Sequence, residues 1–391
     1  MTPAARLQAA IEILDLVIQS AREEGAPADV LVTRYFKTRR YAGSKDRRAV
    51  RELVFRAIRR CSETPESGRA AVLGLAEEEA GLLELFGQPR GPEPLADGEV
   101  ATPAGIVPEW LIPQLSPFVT PDEWPALLDR APLDLRVNIA RANRDTIISE
   151  FPNAVPTSLS PWGVRMPPDS RVDDSPAYRD GRVEIQDEGS QLIALACEPG
   201  AGQRILDLCA GAGGKSLALA AAAPGATILA ADSNRSRLSK LAPRAERAGA
   251  TVETRLLDPP HELVGLKDWL GAADLVLVDA PCSGSGTWRR NPEARWRLTA
   301  ERLDRLAALQ GRLLDIATEL VKPGGSLVYA VCSLLSREGA GAIDAFLSRH
   351  SSWHVQETHI AAGRLDGSGR LLTPAHDLTD GFFIARLAKP C

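Results

Sequence analysis

Apolar residues recur at helical spacing at the start of the chain. Leu7, Ala10, Ile11, Leu14, Val17 and Ile18 share one face, with Thr2 as N-cap and Pro3 at the first helical position. A second helix follows Ser44 as N-cap. Its stripe is Val50, Leu53, Val54, Ala57 and Ile58, while Arg48, Arg51 and Arg59 project elsewhere. A third runs through the alanine- and glutamate-rich stretch from Arg69 to Phe86. Together they predict an all-helical domain over residues 1–88. The run QPRGPEPLADGE is rich in proline, glycine and acid, and predicts a linker at 89–103. Beyond it, VPEWLIPQL and PDEWPALLDRA predict short helices, and LDLRVNIAR (133–141) alternates like a strand. Residues 104–181, punctuated by proline as far as Pro176, read as a small α+β subdomain.

From 182 to 391 short apolar runs alternate with helical patterns. The runs are Arg204–Leu208, Thr227–Ala231, Val252–Leu256, Leu275–Val278 and Ser326–Val331. That order predicts an α/β domain, a parallel sheet with helices on both faces. No internal repeat is visible.

Composition narrows the class. With 391 residues, 44% hydrophobic and 25% charged, the chain can build a main core and a smaller one, as soluble proteins do. No apolar run nears the roughly 20 residues of a membrane helix. The start, Met1-Thr2-Pro3, lacks the charged-then-apolar pattern of a signal peptide, so a cytoplasmic protein is expected. No two of the six cysteines form a CxxC pair, so neither zinc nor another metal is expected. Cys61, Cys197 and Cys391 read as small hydrophobes. A monomer is expected. The net charge of −5 argues against bulk nucleic-acid binding, but eleven lysines and arginines lie between Arg34 and Arg60 against Asp46 and Glu52. Such a face, with Arg47, Arg48 and Arg51, either neutralises RNA phosphates or is a solvated helix surface.

The run RILDLCAGAGGKSLALA (204–220) is strand, glycine turn, helix. Glycines let backbone approach a ligand, and the helix N-terminus offers free amides. A P-loop would need glycine where Cys209 stands, and the dinucleotide pattern would need glycine at Ser216, so both fail. The loop Cys209, Ala210, Gly211, Ala212, Gly213, Gly214 and Lys215 is instead followed by acids at successive strand ends. These are Asp232, Asp258 and Asp279. A crevice of that composition suits an adenosyl ligand, with an acid on the ribose hydroxyls. The alternative for each acid is a helix cap.

Two later strands end alike, in ADLVLVDAPCSGSG (273–286) and GSLVYAVCSLLS (325–336). If they are neighbours, about 4.8 Å apart, Cys282 and Cys332 face one crevice. The chemistry fits a pyrimidine. Carbon 5 of cytosine is a poor nucleophile until a thiolate adds at carbon 6, and a thiolate both attacks and leaves well. A carboxylic acid near ring nitrogen 3, such as Asp279, would offset the developing charge.

DLCAGAGGKS, DAPCSGSGTWRRNP and VYAVCS resemble the signature motifs of the bacterial 16S ribosomal RNA cytosine-5 methyltransferases, grouped with eukaryotic nucleolar and tRNA enzymes. VEIQDEGSQ (183–191), DGFFIARL (380–387), RRYAGSKDRR and LRVN extend the resemblance over nearly the whole chain. It implies a Rossmann-like, class I S-adenosylmethionine-dependent fold, preceded by an antitermination-factor-like RNA-binding domain. It implies Cys332 as nucleophile and Cys282 as the residue that assists release. The cofactor would be held by Cys209 to Lys215 with Asp232, Asp258 and Asp279. Two departures stand out. Gly211-Ala212 replaces the usual Ala-Pro of the loop, and Ala330-Val331 precedes Cys332 where threonine is common.

Trp288, Arg289 and Arg290 follow the Cys282 loop. The arginines are candidates for phosphates flanking the target. Trp288 would either stack on a base or pack under the loop. The target base must be flipped or unpaired. Other readings are a related enzyme acting on tRNA and a methylation-inactive assembly factor; intact Cys282, Cys332 and Asp279 disfavour the latter. An amino-directed methyltransferase would carry Asn-Pro-Pro-aromatic where this chain has Asp-Ala-Pro-Cys.

Overall fold

The computed structural model describes residues 1–167 and 170–391. They form two compact units, whose limits differ from the segments the sequence suggests. The first comprises residues 1–115, 120–130 and 287–300; the second comprises 116–119, 131–286 and 301–391.

The first unit holds helices α1 (Pro3–Arg22), α2 (Ala28–Lys37), α3 (Ser44–Arg60), α4 (Gly68–Glu78) and α5 (Ala80–Leu83). Thr2 caps α1 by accepting from the Ala5 amide at 3.2 Å. The expected stripe of α1 is buried throughout. The cap of α3 is Gly43, one residue before the expected Ser44, and Asp46 reaches back to its amide at 3.3 Å. The helix expected over 69–86 breaks at Glu79. Helix α2 escaped the periodicity reading, since its stripe is only Ala28, Val32, Tyr35 and Phe36. The two tryptophan-containing segments form 3-10 helices, Glu109–Gln114 and Pro121–Leu127. Pro113 and Pro125 lie inside them and cannot donate the bonds that an α-helix needs.

Residues 287–300 contribute a further 3-10 helix to this unit, Pro292–Arg297. The buried Arg295 donates to Ile58 O at 2.7 Å, to Arg59 O at 3.3 Å and to Ile106 O. Trp296 Nε1 donates to Cys61 O at 3.0 Å. These bonds add donors to carbonyls in the last turn of α3 and just after it, where the helix itself supplies few.

The second unit contains two sheets. The smaller has the order β2-β3-β1-β4, all antiparallel, from β1 (Leu133–Val137), β2 (Val155–Pro156), β3 (Gly163–Met166) and β4 (Val183–Ile185). Helices α6 (Arg144–Glu150) and α7 (Pro176–Arg179) interrupt it, and α8 (Glu188–Ala196) follows. The larger sheet begins with β5 (Arg204–Asp207), α9 (Gly214–Ala222), β6 (Thr227–Asp232), α10 (Arg235–Leu238), α11 (Leu241–Ala248) and β7 (Glu253–Leu256). Next come α12 (Glu262–Gly265), β8 (Ala273–Asp279), α13 (Ala300–Leu320), β9 (Val321–Val331) and α14 (Ala340–Arg349). It ends with β10 (His354–Gln356), β11 (Arg364–Asp366), β12 (Gly369–Leu372) and β13 (Phe382–Ala388).

The path of the larger sheet is β11-β12-β13-β9-β8-β5-β6-β7, with β10 on β13. Strands β5 to β9 pair in parallel. Strands β5, β8 and β9 are apolar on both faces, as a sheet covered on both sides requires. The rest corrects the expectation of a wholly parallel sheet, because β10 to β13 pair antiparallel. The link from β12 to β13 is shorter than the dozen or so residues a parallel crossover takes.

The small sheet docks on α11. Asn138 Nδ2 donates to Gly181 O at 2.9 Å and to Ala248 O at 3.0 Å. Glu184 on β4 pairs with Arg244 at 2.9 Å and with Arg247.

Candidate active site

Strands β8 and β9 are parallel neighbours, with Asp279 opposite Ala330. The chain leaves both at the same edge, and three residues further on β8 and two on β9 come the cysteines. Cys282 Sγ and Cys332 Sγ lie 3.3 Å apart, both partly exposed. The Cys332 carbonyl accepts from the Gly286 amide at 3.0 Å, tying the two loops together. The Cys282 thiol is pushed well above its ordinary range by its bond to Cys332, by burial, and by the charges of Cys332 and Glu338. Cys61 and Cys197 are buried, and Cys391 is exposed.

Next to the thiols, Lys215 Nζ donates to Asp279 Oδ2 at 2.6 Å. Burial works against the ammonium, but the charge of Asp279 and its hydrogen bond outweigh burial, so the Lys215 pKa is raised. The Lys215 ammonium also sits 5.9 Å from the centre of the Phe382 ring on β13.

The glycine loop lies between β5 and α9. Gly211 and Gly213 take left-handed conformations, φ 55° and 80°. A side chain at Gly211 would meet the Arg237 guanidinium, and one at Gly213 would meet Leu241. The first amides of α9 have no intrahelical acceptor. Asp232, buried at the end of β6, accepts from the Gly211 amide at 2.7 Å and the Asn234 amide at 2.6 Å. A carboxylate has about four acceptor positions, so roughly two remain. Asp232 is not the helix cap: Asn234 caps α10, accepting from the Arg237 amide at 3.0 Å. Asp258 lies exposed just past β7, the strand beside β6.

Asp207, at the end of β5, was not singled out in the sequence. It is buried, and Ser216 Oγ donates to its Oδ2 at 2.7 Å. Its Oδ1 is buried without a hydrogen-bond partner. Burial raises its pKa to about 7, against the Ser216 bond and with the charge of Asp279. Its signal was an acid inside an apolar strand immediately before the loop. Left-handed glycines, helix-start amides, spare acceptor positions on Asp232 and the open oxygen of Asp207 fit an adenosyl ligand carrying an amino-acid tail.

A second group missed in the sequence lies beneath the thiols. The carboxylate of Glu338, fully buried, accepts from the Ser283 amide, Gln310 and Ser333. The hydroxyls of Ser283, Ser285 and Ser333 lie 3.1–3.2 Å from one another. Nothing in a one-dimensional pattern ties Glu338 to Ser283.

The candidate RNA residues divide. Arg47, Arg48 and Arg51 are exposed on α3, although Arg47 Nε donates to Ala42 O at 2.9 Å. Arg290 is exposed. Trp288 corrects the stacking expectation: it is fully buried in the first unit, with the Arg295 guanidinium 5.9 Å from the centre of its ring. Arg289 is buried as well. The segment after the Cys282 loop folds into the helical unit instead of offering its indole to a base. Among the described residues no cluster of three metal-ligating side chains occurs, and no helix is long and apolar enough to cross a membrane.

Residues 194–388 match the family model described as 16S rRNA methyltransferase RsmB/F. The ribosomal RNA small subunit methyltransferase B of Enterobacter sp. (strain 638) is 34% identical over 319 residues, covering 79% of this chain and 72% of that protein. A solved methyltransferase homolog protein from Pyrococcus horikoshii is 26% identical with a TM-score of 0.60, covering 71% of this chain and 92% of that one. NSun6 from the same organism, solved with SFG, has a TM-score of 0.60 at 19% identity, over 68% of this chain and 92% of that one. At that identity the likeness concerns the fold alone.

Proposed function

This chain belongs to the 16S rRNA methyltransferase RsmB/F family, and from that we propose that it methylates carbon 5 of a cytosine in 16S rRNA through a covalent adduct with Cys332. S-adenosylmethionine is the methyl donor of the family. When bound, it would supply an electrophilic methyl group for carbon 5.

The observation that carries this reading is the pair of thiols 3.3 Å apart beside Lys215 and Asp279. The Cys332 thiolate adds to carbon 6 of an unpaired cytosine, forming the S–C6 bond and moving an electron pair toward carbon 5 and nitrogen 3. The Lys215–Asp279 pair offsets charge at the nitrogen 3 side. Because Lys215 keeps its proton and holds Asp279 at 2.6 Å, the mobile proton of this pair rests on the ammonium. That refines the sequence reading, which gave the acid role to Asp279 alone. After methyl transfer, the carbon 5 proton passes to solvent water, its electron pair re-forms the C5–C6 double bond, and the C6–S bond breaks to release Cys332 as thiolate. Cys282, held as a thiol, donates a hydrogen bond to the departing sulfur.

Asp232 would hold the ribose hydroxyls, and the loop Cys209 to Lys215, with Asp258, would hold the rest of the adenosyl group. Arg47, Arg48, Arg51 and Arg290 neutralise RNA phosphates.

The test is methylation of unmodified 16S rRNA by the purified protein with labelled S-adenosylmethionine, followed by nucleoside analysis. Label in 5-methylcytidine supports the proposal. Label in another nucleoside, or none, rejects it.

A further inference from the structure

We propose that Glu338 is a positioning residue for product release, holding the Cys282 loop against Cys332 by accepting hydrogen bonds from both Cys-Ser segments. This rests on the cysteine-adduct reading above and adds a residue to it.

The two cysteines are held differently. Cys332 directly follows β9, which is fixed between β8 and β13. Cys282 lies in a loop outside helix and strand. The Ser283 amide, next to Cys282, donates to both oxygens of Glu338, at 2.9 and 3.2 Å. Gln310 Nε2, on α13, donates to Glu338 at 2.9 Å and to Pro281 O at 2.9 Å, on the other side of Cys282. Cys282 is therefore flanked on both sides by bonds leading to one carboxylate. Ser333 Oγ donates to the same carboxylate at 2.6 Å and so adds the Cys332 side. The Glu338 backbone is fixed in turn, its carbonyl accepting from Tyr329 OH at 2.8 Å.

The site supplies four donor contacts to a fully buried carboxylate, and bonds to an ionised acceptor are roughly twice as strong as neutral ones. The charge also disfavours ionisation of Cys282. Without Glu338, β9 still presents Cys332 for attack, while Cys282 loses its fixed place. A displacement of about 1 Å costs a catalytic group roughly 100-fold. The defect falls on elimination, so the adduct outlives its normal turnover.

The full-length protein is incubated with 16S rRNA and S-adenosylmethionine, and denaturant-resistant protein–RNA adduct is followed beside multiple-turnover methylation. Glu338→Ala should accumulate adduct and slow turnover about 100-fold, with the KM for S-adenosylmethionine within about twofold. Because Glu338 is buried, the isosteric Glu338→Gln is measured alongside, with thermal unfolding of both. It should shift the same way by about tenfold, since its amide places a donor among donors. A folded Glu338→Gln whose adduct decays as in the wild type overturns the inference. So does a folded variant in which adduct formation and turnover fall together. Wild-type protein with 5-fluorocytidine-substituted rRNA is the control. Stable adduct there supports the reading beneath, and its absence overturns that reading and this inference together.

Discussion

The sulfur atoms of Cys282 and Cys332 lie 3.3 Å apart although 50 positions separate them in the chain. Their duties are separable by experiment. Cys332→Ala should abolish adduct and methyl transfer, by at least about 10³-fold. Cys282→Ala should still attack and should leave a protein–RNA adduct that survives denaturing electrophoresis. Full activity in Cys332→Ala would show that the nucleophile is misassigned.

Asp207 gives stability a pH signature. Its folded pKa is raised to about 7, whereas an unfolded aspartate titrates near 3.9. Folding therefore takes up a proton between those values, so the contribution of Asp207 is fully present below about pH 4 and is lost as pH rises through about 7. Asp207→Asn removes the ionisation and keeps an acceptor for Ser216. Its unfolding free energy relative to wild type should rise between about pH 5 and pH 8, by an amount on the order of 1 kcal/mol or more. A constant difference in denaturant titrations across that range would refute the assignment.

Arg295 is the main polar anchor of the 287–300 segment within the helical unit. Burial lowers its guanidinium pKa to about 10, and it donates to Ile58 O, Arg59 O and Ile106 O. Arg295→Met preserves bulk but removes these three hydrogen bonds, at a cost of about 3 kcal/mol. Calorimetry should show the melting transition lowered by roughly 6–12 °C. An unchanged transition would mean that the carbonyls find other donors.

On α3, replacing Arg47, Arg48 and Arg51 with alanine should weaken RNA binding and flatten its salt dependence, by roughly 0.7–0.9 in log–log slope per lost phosphate contact. Arg48 and Arg51 should dominate, because Arg47 already donates to Ala42 O. Equal affinity across a salt series would rule out a role for this face.

Much of the site was legible because its elements are local. The loop Cys209 to Lys215 declares itself by glycine content between an apolar run and a helical one. The two Cys-Ser strand ends declare themselves by repetition. Asp207 was passed over because it lies inside the apolar run Arg204–Leu208 and not beyond its end. Glu338 was passed over because its partners lie on segments far away in the chain. Trp288 could be read either way in the sequence, and the fold decided it, because the indole's large apolar surface is buried in the helical unit.

The sequence by itself determined the alternation of strands and helices, the glycine turn, the acids at strand ends and the chemistry that a pair of thiols permits. These are properties of neighbouring residues and of residue type. Tertiary structure alone decided that β8 and β9 are neighbours, that Lys215 reaches Asp279, that one buried carboxylate spans both cysteine segments, and that residues 287–300 fold into the helical unit. Each depends on pairing between segments far apart in the chain. Such pairing is selected by the burial of apolar surface and the satisfaction of polar groups across the whole fold.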